Sequence, residues 1–298
     1  MVTTASPALI ARQYHALRPT QIVSKKKRAV LDEDDEELEA ELLALEREKR
    51  EQETLERGET ANKSEDGASD DEASLAQFQE LYDTIYNKTQ PATPKHELPR
   101  HSSLSKLISL ISNAEQAEQI PALVTQWRNR QLPTEALESH RLIRALCKVG
   151  HPDIALTLLG DREKYNMHPN QASMRKIVRS FVNKVVPESE EGLKELDGAF
   201  LTMAVAPYYN LQADDAYVYA SLVKGSLAYG GEEGLRRATA TMDEYLLIDG
   251  ERDQPLTKKV ASELVSAAES LSEAYQANDK AAKAKELDAS TAVWKKAL

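Results

Sequence analysis

Apolar residues in the second half of the chain come in adjacent pairs, and the pairs themselves recur. Leu107-Ile108 is followed 35 residues later by Leu142-Ile143, and after a further 35 by Ile177-Val178. A fourth pair, Leu222-Val223, stands 45 residues beyond the third. The pattern is clearest around the second pair. Leu142, Ile143 and Leu146 share one helical face, Gly150-His151-Pro152 interrupts it, and Ile154, Ala155, Leu158 and Leu159 form another face that His168-Pro169-Asn170 ends. Spacing of this kind predicts two short amphipathic helices per unit, with Gly and Pro as punctuation. A lone helix pair cannot bury its apolar face, so successive pairs must stack.

Four such units run over residues 101–254. Pro133 and Pro169 close the first two, 36 residues apart, and Gly230 follows Leu222 by eight residues, as Gly150 follows Leu142. The longer third spacing implies about ten extra residues, placed at Val185–Gly192 or Ala206–Asp214, where breakers and polar residues cluster. Beyond Pro255, Leu256–Gln276 and Asp279–Leu298 read as two more helices. Val260, Leu264, Val265, Ala268 and Leu271 line the first; Leu287, Val293 and Trp294 are the main apolar residues of the second. Residues 255–298 are thus expected to form a C-terminal cap with a polar outer face.

The N-terminal third reads differently. Residues 77–86 predict a short helix with Phe78, Leu81, Ile85 and Tyr86 on one side, inside a segment (58–100) that otherwise reads as disordered linker, with Pro91, Pro94 and Pro99 before the repeats. Residues 32–57 read as an acidic charged helix; Leu38, Leu42 and Leu45 sit at helical spacing, too short a run for a coiled coil. Residues 1–31 contain six Lys or Arg and no acid, as a mitochondrial targeting segment does, with Arg12-Gln13-Tyr14 like an arginine-directed cleavage site. Two other readings of this segment stay open: a nuclear localisation run at Lys25-Lys26-Lys27-Arg28, and a plain basic tail.

Charge is distributed in the same blocks. The formal net charge of −11 divides into +6 over 1–31, −14 over 32–74 and −3 over the rest. The repeat region is therefore near neutral, which does not fit a non-specific nucleic-acid binder acting through bulk charge but leaves room for a local basic patch. The single cysteine, Cys147, excludes an intrachain disulfide and a cysteine-based zinc site; on an apolar face beside Leu146 it reads as a packing thiol. No apolar run reaches the roughly 20 residues a membrane span requires. The six histidines show no i, i+4 ligand spacing, and Gly230-Gly231-Glu232-Glu233-Gly234 lacks the lysine of a phosphate loop. The expectation is a non-catalytic protein with no cofactor, metal or small-molecule substrate and no insertion into a membrane. Trp127, Met242 and the tyrosines Tyr208, Tyr209, Tyr217, Tyr219 and Tyr229 read as packing residues, the tyrosine hydroxyls at the rim.

Ser139–Asn170 resembles one pentatricopeptide repeat: the Leu142-Ile143 pair, Leu146-Cys147-Lys148, Gly150, the Asp153-x-Ala155-Leu156 start of the second helix, and the closing Pro169-Asn170. Tyr219–Gly225 with Gly230 and Leu235 is similar to the same pattern. The resemblance implies an all-α protein: a short right-handed solenoid of about four helix-pair repeats, a C-terminal helical cap, and a charged, partly disordered N-terminal extension. It also implies mitochondrial gene expression as the setting and RNA as a partner. Base choice in the resembled family rests on a residue early in the first helix and one at the end of the repeat, here His140 and Asn170. Ser105, Arg175 and Ala220 hold the first-helix position in neighbouring units, and Thr134 the end position of unit one. Ala220 offers no side-chain group to a base, and His140 and Arg175 are not the small polar residues usual there. The implied RNA contacts therefore fall to His140 and Asn170 with the basic residues Arg141, Arg144, Arg175, Lys176 and Arg179, the last three forming the main cluster. Arg128 and Arg130 close a second helix and belong to another rim.

Such an architecture suggests a matrix protein partnered by mitochondrial ribosomal proteins and rRNA, and by mRNA in one variant. The function expected is a structural component of the small subunit of the mitochondrial ribosome or a factor bound to it. Two alternatives are a protein-binding adaptor or assembly factor, and a transcript-specific RNA-binding factor.

Overall fold

The structure, a computed structural model, describes residues 69–250 and 256–298. The expected targeting segment (1–31), the acidic helix (32–57) and residues 58–68 and 251–255 lie outside the described residues. All regular structure among the described residues is helical, with no strand. The first expected unit is α2 (His101–Ser109) and α3 (Ala114–Asn129), the second α4 (Ala136–Lys148) and α5 (Pro152–Gly160), with a single-turn α6 (Arg162–Tyr165). The third is α7 (Gln171–Val182) and α8 (Glu190–Val205), the fourth α9 (Ala216–Tyr229) and α10 (Gly231–Asp249). A helix α1 (Ser69–Lys88) precedes them, and α11 (Lys258–Ala277) and α12 (Ala281–Trp294) follow.

Local chemistry sets the helix ends. At the end of α4, Gly150 takes φ +83°, a left-handed conformation that only glycine adopts freely. The His151 amide then donates to the Leu146 carbonyl (2.9 Å) and the Gly150 amide to Cys147 (3.3 Å), closing the helix as a Schellman motif. Pro152 opens α5 at the position where its missing N–H costs nothing. Side-chain caps begin the helices: Asn113, Asn170, Ser189 and Asp215 accept from backbone amides at the starts of α3, α7, α8 and α9. Caps of this kind are each worth about 1 kcal/mol.

The paired apolar residues are the seam of the molecule. All eight, from Leu107-Ile108 to Leu222-Val223, are buried, each contributing about 1.5–3 kcal/mol over an exposed position. Through them the first helices pack in sequence, α2 on α4, α4 on α7, α7 on α9 and α9 on α11. The second helices lie behind, with α3 on α5 and α5 on α8. Close approach at α7 depends on glycine: a Cβ at Gly198 of α8 would stand 2.5 Å from the Phe181 ring, and one at Gly225 of α9 2.7 Å from Val182.

Three features differ from, or refine, the sequence reading. The helix expected over 77–86 extends to Ser69–Lys88 and is docked rather than part of a linker. Phe78 and Ile85 are buried, α1 packs on both α2 and α3, and the Thr89 hydroxyl donates to Gln126 at 2.9 Å. It thus lies where the second helix of a preceding pair would lie. The long third spacing draws on the first candidate segment and on α8 itself: relative to the second unit, α8 starts three residues later and is seven residues longer than α5, while the connection after it, 206–215 with a 3-10 turn at Ala206–Tyr209, is as long as 161–170. Finally, α9 is apolar on nearly every side. Val218 and Leu222 face the core that extends back to α1, while Tyr217, Tyr219, Ala220 and Val223 face the core shared with α10 to α12.

Candidate nucleic-acid interface

Charge separates by layer. The first helices α2, α4, α7 and α9 carry Lys106, Arg141, Arg144, Lys148, Arg175, Lys176, Arg179 and Lys224 against one acid, Glu138, which is buried. The second helices α3, α5, α8 and α10 carry twelve Asp or Glu and four Lys or Arg. Helical periodicity produces the arrangement. In each first helix the residue before the buried pair and the residue after it point away from the core. Lys106, Arg141 and Lys176 therefore follow one another across three helices, and Arg144, Arg179 and Lys224 do the same. Lys106, Arg144, Lys148, Lys176 and Arg179 are exposed; Arg141 and Lys224 are half-buried. Lys224 also pairs with Glu263 of α11 at 2.5 Å.

Of the sequence-derived positions, His140, Asn170 and Arg175 have work inside the fold. Ser173, fully buried at the start of α7, donates its hydroxyl proton to Asn170 Oδ1 at 2.8 Å. That oxygen also accepts the Ser173 amide, so Asn170 is the cap of α7. With the Ser173 proton committed, the 2.9 Å contact to His140 Nδ1 is one in which the imidazole donates. One unit earlier, Ser105 donates to Glu138 at 3.1 Å. One unit later, Arg175 grips Asp215 through Nε at 2.7 Å and a terminal nitrogen at 3.1 Å. Positions 105, 140 and 175, 35 residues apart, thus each bond to the opening turn of the next first helix. The residues that would read bases fasten unit to unit instead.

The Arg175–Asp215 pair is the strongest of these joints. The Asp215 carboxylate is 2% exposed, caps the Tyr217 amide at 3.0 Å, and also accepts from Gln171 at 2.5 Å. The Arg175 guanidinium lies 5.5 Å from the centre of the Tyr217 ring. A charge so committed has little left for phosphate. Arg141, Arg144, Lys176 and Arg179 remain the members of the expected set on the outward rows, with Arg179 touching the Tyr217 hydroxyl at 3.5 Å. The sequence reading missed Lys106, Lys148 and Lys224. Register could have found two of them: Lys106 precedes Arg141 by 35 residues, and Lys224 follows Arg179 by 45, the step from Ile177 to Leu222.

Other candidate chemistry is structural. Cys147 is buried among apolar side chains, and burial pushes its thiol pKa up, opposed by the Ser180 hydrogen bond and by Lys176. Trp127 is buried with its indole N–H on the Pro133 carbonyl at 3.0 Å, and Met242 is buried in α10. Tyr209, Tyr217 and Tyr219 pack as expected, Tyr209 donating to the Leu159 carbonyl at 2.9 Å. Tyr208 does not: it is 77% exposed, because the 3-10 turn at Ala206–Tyr209 sends its ring outward while its carbonyl accepts from Arg162. No helix among the described residues is long and apolar enough to cross a membrane. No family model matches the chain, and no curated protein or solved structure does either.

Proposed function

We propose that the chain is a non-catalytic helical-repeat scaffold of mitochondrial gene expression that holds RNA by its phosphate backbone. Its place is the small subunit of the mitochondrial ribosome, as a structural component or a bound factor, with rRNA and ribosomal proteins as partners. The helix pairs α2/α3, α4/α5, α7/α8 and α9/α10 are the units of a short right-handed solenoid, α1 closes one end, and α11/α12 caps the other. The observation that carries this reading is the separation of charge by layer. A near-neutral body still presents a basic face when its cations lie on the first helices and its acids on the second.

Internal use of His140, Asn170 and Arg175 favours backbone contact over base reading. A transcript-specific factor is accordingly the weaker reading. Sedimentation of a mitochondrial lysate tests the assignment. Co-migration with the small ribosomal subunit, lost after nuclease treatment, is expected. Migration as a free complex unaffected by nuclease would contradict it and point to a protein adaptor.

A further inference from the structure

At the start of the first-helix layer, three side chains from separated segments converge. His101 is the first residue of α2; Glu135 caps α4 through its backbone, and Glu138 lies in the first turn of α4. Glu138 is 5% exposed, and only one of its oxygens is satisfied, accepting from Ser105 at 3.1 Å. The other, Oε2, faces His101 Nε2 at 3.4 Å, out of hydrogen-bond alignment, and both atoms are buried with no hydrogen-bond partner. The ligand atoms of His101, Glu135 and Glu138 all lie within 4.8 Å of one another. A buried carboxylate oxygen beside an imidazole nitrogen, neither bonded, is costly as it stands. A shared cation satisfies both.

We propose that His101, Glu135 and Glu138 bind one divalent transition-metal ion of the zinc class. One imidazole and two carboxylates suit Zn2+, Co2+ or Mn2+, whereas Ca2+ and Mg2+ take oxygen ligands alone. Water completes the shell on the exposed Glu135 side. The ion joins the N-terminus of α2 to that of α4, at the joint where Ser105 makes the only other polar tie described above. The ligands come from segments more than thirty residues apart, so no spacing in the sequence announces them. The site stands apart from the RNA reading and survives its failure.

Full-length chain stripped by chelator and titrated with ZnCl2 tests the proposal. Calorimetry is expected to show one saturable equivalent, Co2+ to give ligand-field absorption bleached by added Zn2+, and saturating Zn2+ to raise Tm by about 5 °C. His101→Ala and Glu138→Gln are expected to abolish all three signals, and His96→Ala, at an exposed histidine outside the cluster, to leave them intact. Glu135 is exposed, so Glu135→Gln retains the helical fold even if the other two do not, and it is expected to weaken Zn2+ binding. Absence of a saturable equivalent in the wild-type chain, or unchanged affinity in Glu135→Gln, overturns the site and leaves a His101–Glu138 ion pair.

Discussion

Two cores meet at α9, and they are made of different chemistry. From α1 to α8 the interior is mainly aliphatic, with Leu107, Leu123, Ile143, Leu158 and Ile177 fully buried and repeated at unit spacing. Beyond α9 it turns on three rings: Tyr219 lies 5.4 Å from Tyr245, and Tyr245 lies 5.8 Å from Trp294. Each ring is also tied at its polar tip. Tyr219 donates to Glu244 at 3.0 Å, Tyr245 to Asp249 at 2.9 Å, and Trp294 to Asp249 at 2.8 Å. Burial, with Glu244 beside it, keeps the Tyr219 hydroxyl protonated well above the ordinary tyrosine range. The outer faces differ too. The first helices up to α9 are basic, whereas α11 sets Glu263, Glu269 and Glu273 against Lys258 and Lys259. A repeated aliphatic seam lets units follow one another, while a bonded aromatic cluster closes the series; the basic face ends where the closure begins.

The largest expected effect separates closure from surface on one turn of α12. Trp294→Ala removes a buried ring and its indole hydrogen bond to Asp249, and is expected to cost about 4 kcal/mol in denaturant unfolding. Val293→Ala, at a side chain 60% exposed, is expected to stay within about 0.5 kcal/mol. Because α9 contributes to both cores, Trp294→Ala should shift a single transition. Two separated transitions would show the cores to be independent.

Next comes the joint between α7 and α9. Asp215→Ala strips the cap of α9 and leaves Arg175 facing a buried void, with an expected loss of about 3 kcal/mol by thermal or chemical denaturation. A loss below about 1 kcal/mol would mark Arg175 as a surface cation after all. Ser173→Ala is a milder break of the preceding joint, expected to cost about 1 kcal/mol because it removes the shared hydroxyl of His140 and Asn170. If those two residues read bases, the same change would alter RNA sequence preference; no such change is expected.

The smallest effect lies on the acidic layer. Glu233 is held at a pKa of about 2 by hydrogen bonds from Arg236 and Arg237. A carboxylate depressed in the folded state stabilises the fold above its unfolded pKa, and the contribution is lost as pH falls through the folded value, here near about 2. The carboxylate is partly exposed at the surface, so solvent screens the pair and thermal stability barely registers it. Side-chain carbon NMR is the suitable readout. Arg236→Ala should move the Glu233 titration up towards the ordinary carboxylate range, and an unmoved titration would mean that Arg237 alone holds it.

The paired helices were legible because burial on one face leaves a periodic trace: Leu142-Ile143 and its counterparts carry the whole first-helix seam. Less regular features left less. In α1, Ser69–Ala76 is polar and shows no periodicity, so only the part holding Phe78 and Ile85 stood out in sequence. Lys224 lies off the 35-residue step and is reached only through the 45-residue step that also carries Ile177 to Leu222. Arg175 looked like the centre of a basic cluster because its neutralising partner, Asp215, lies 40 residues away. Ser173 has no sequence signature at all, since a serine that joins two helices looks like any other near a helix start.

On the proposed function, the outward rows of the first helices hold RNA by its phosphates. The most direct measurement is the salt dependence of affinity for a short mixed-sequence single-stranded RNA, comparing the wild-type chain with Arg144→Glu/Lys176→Glu/Arg179→Glu. Each phosphate contact on a single strand contributes a slope of about 0.7 in log affinity against log salt, so the triple variant should flatten the slope by about 2 while keeping its Tm. An unchanged slope and affinity in the folded variant would contradict the account.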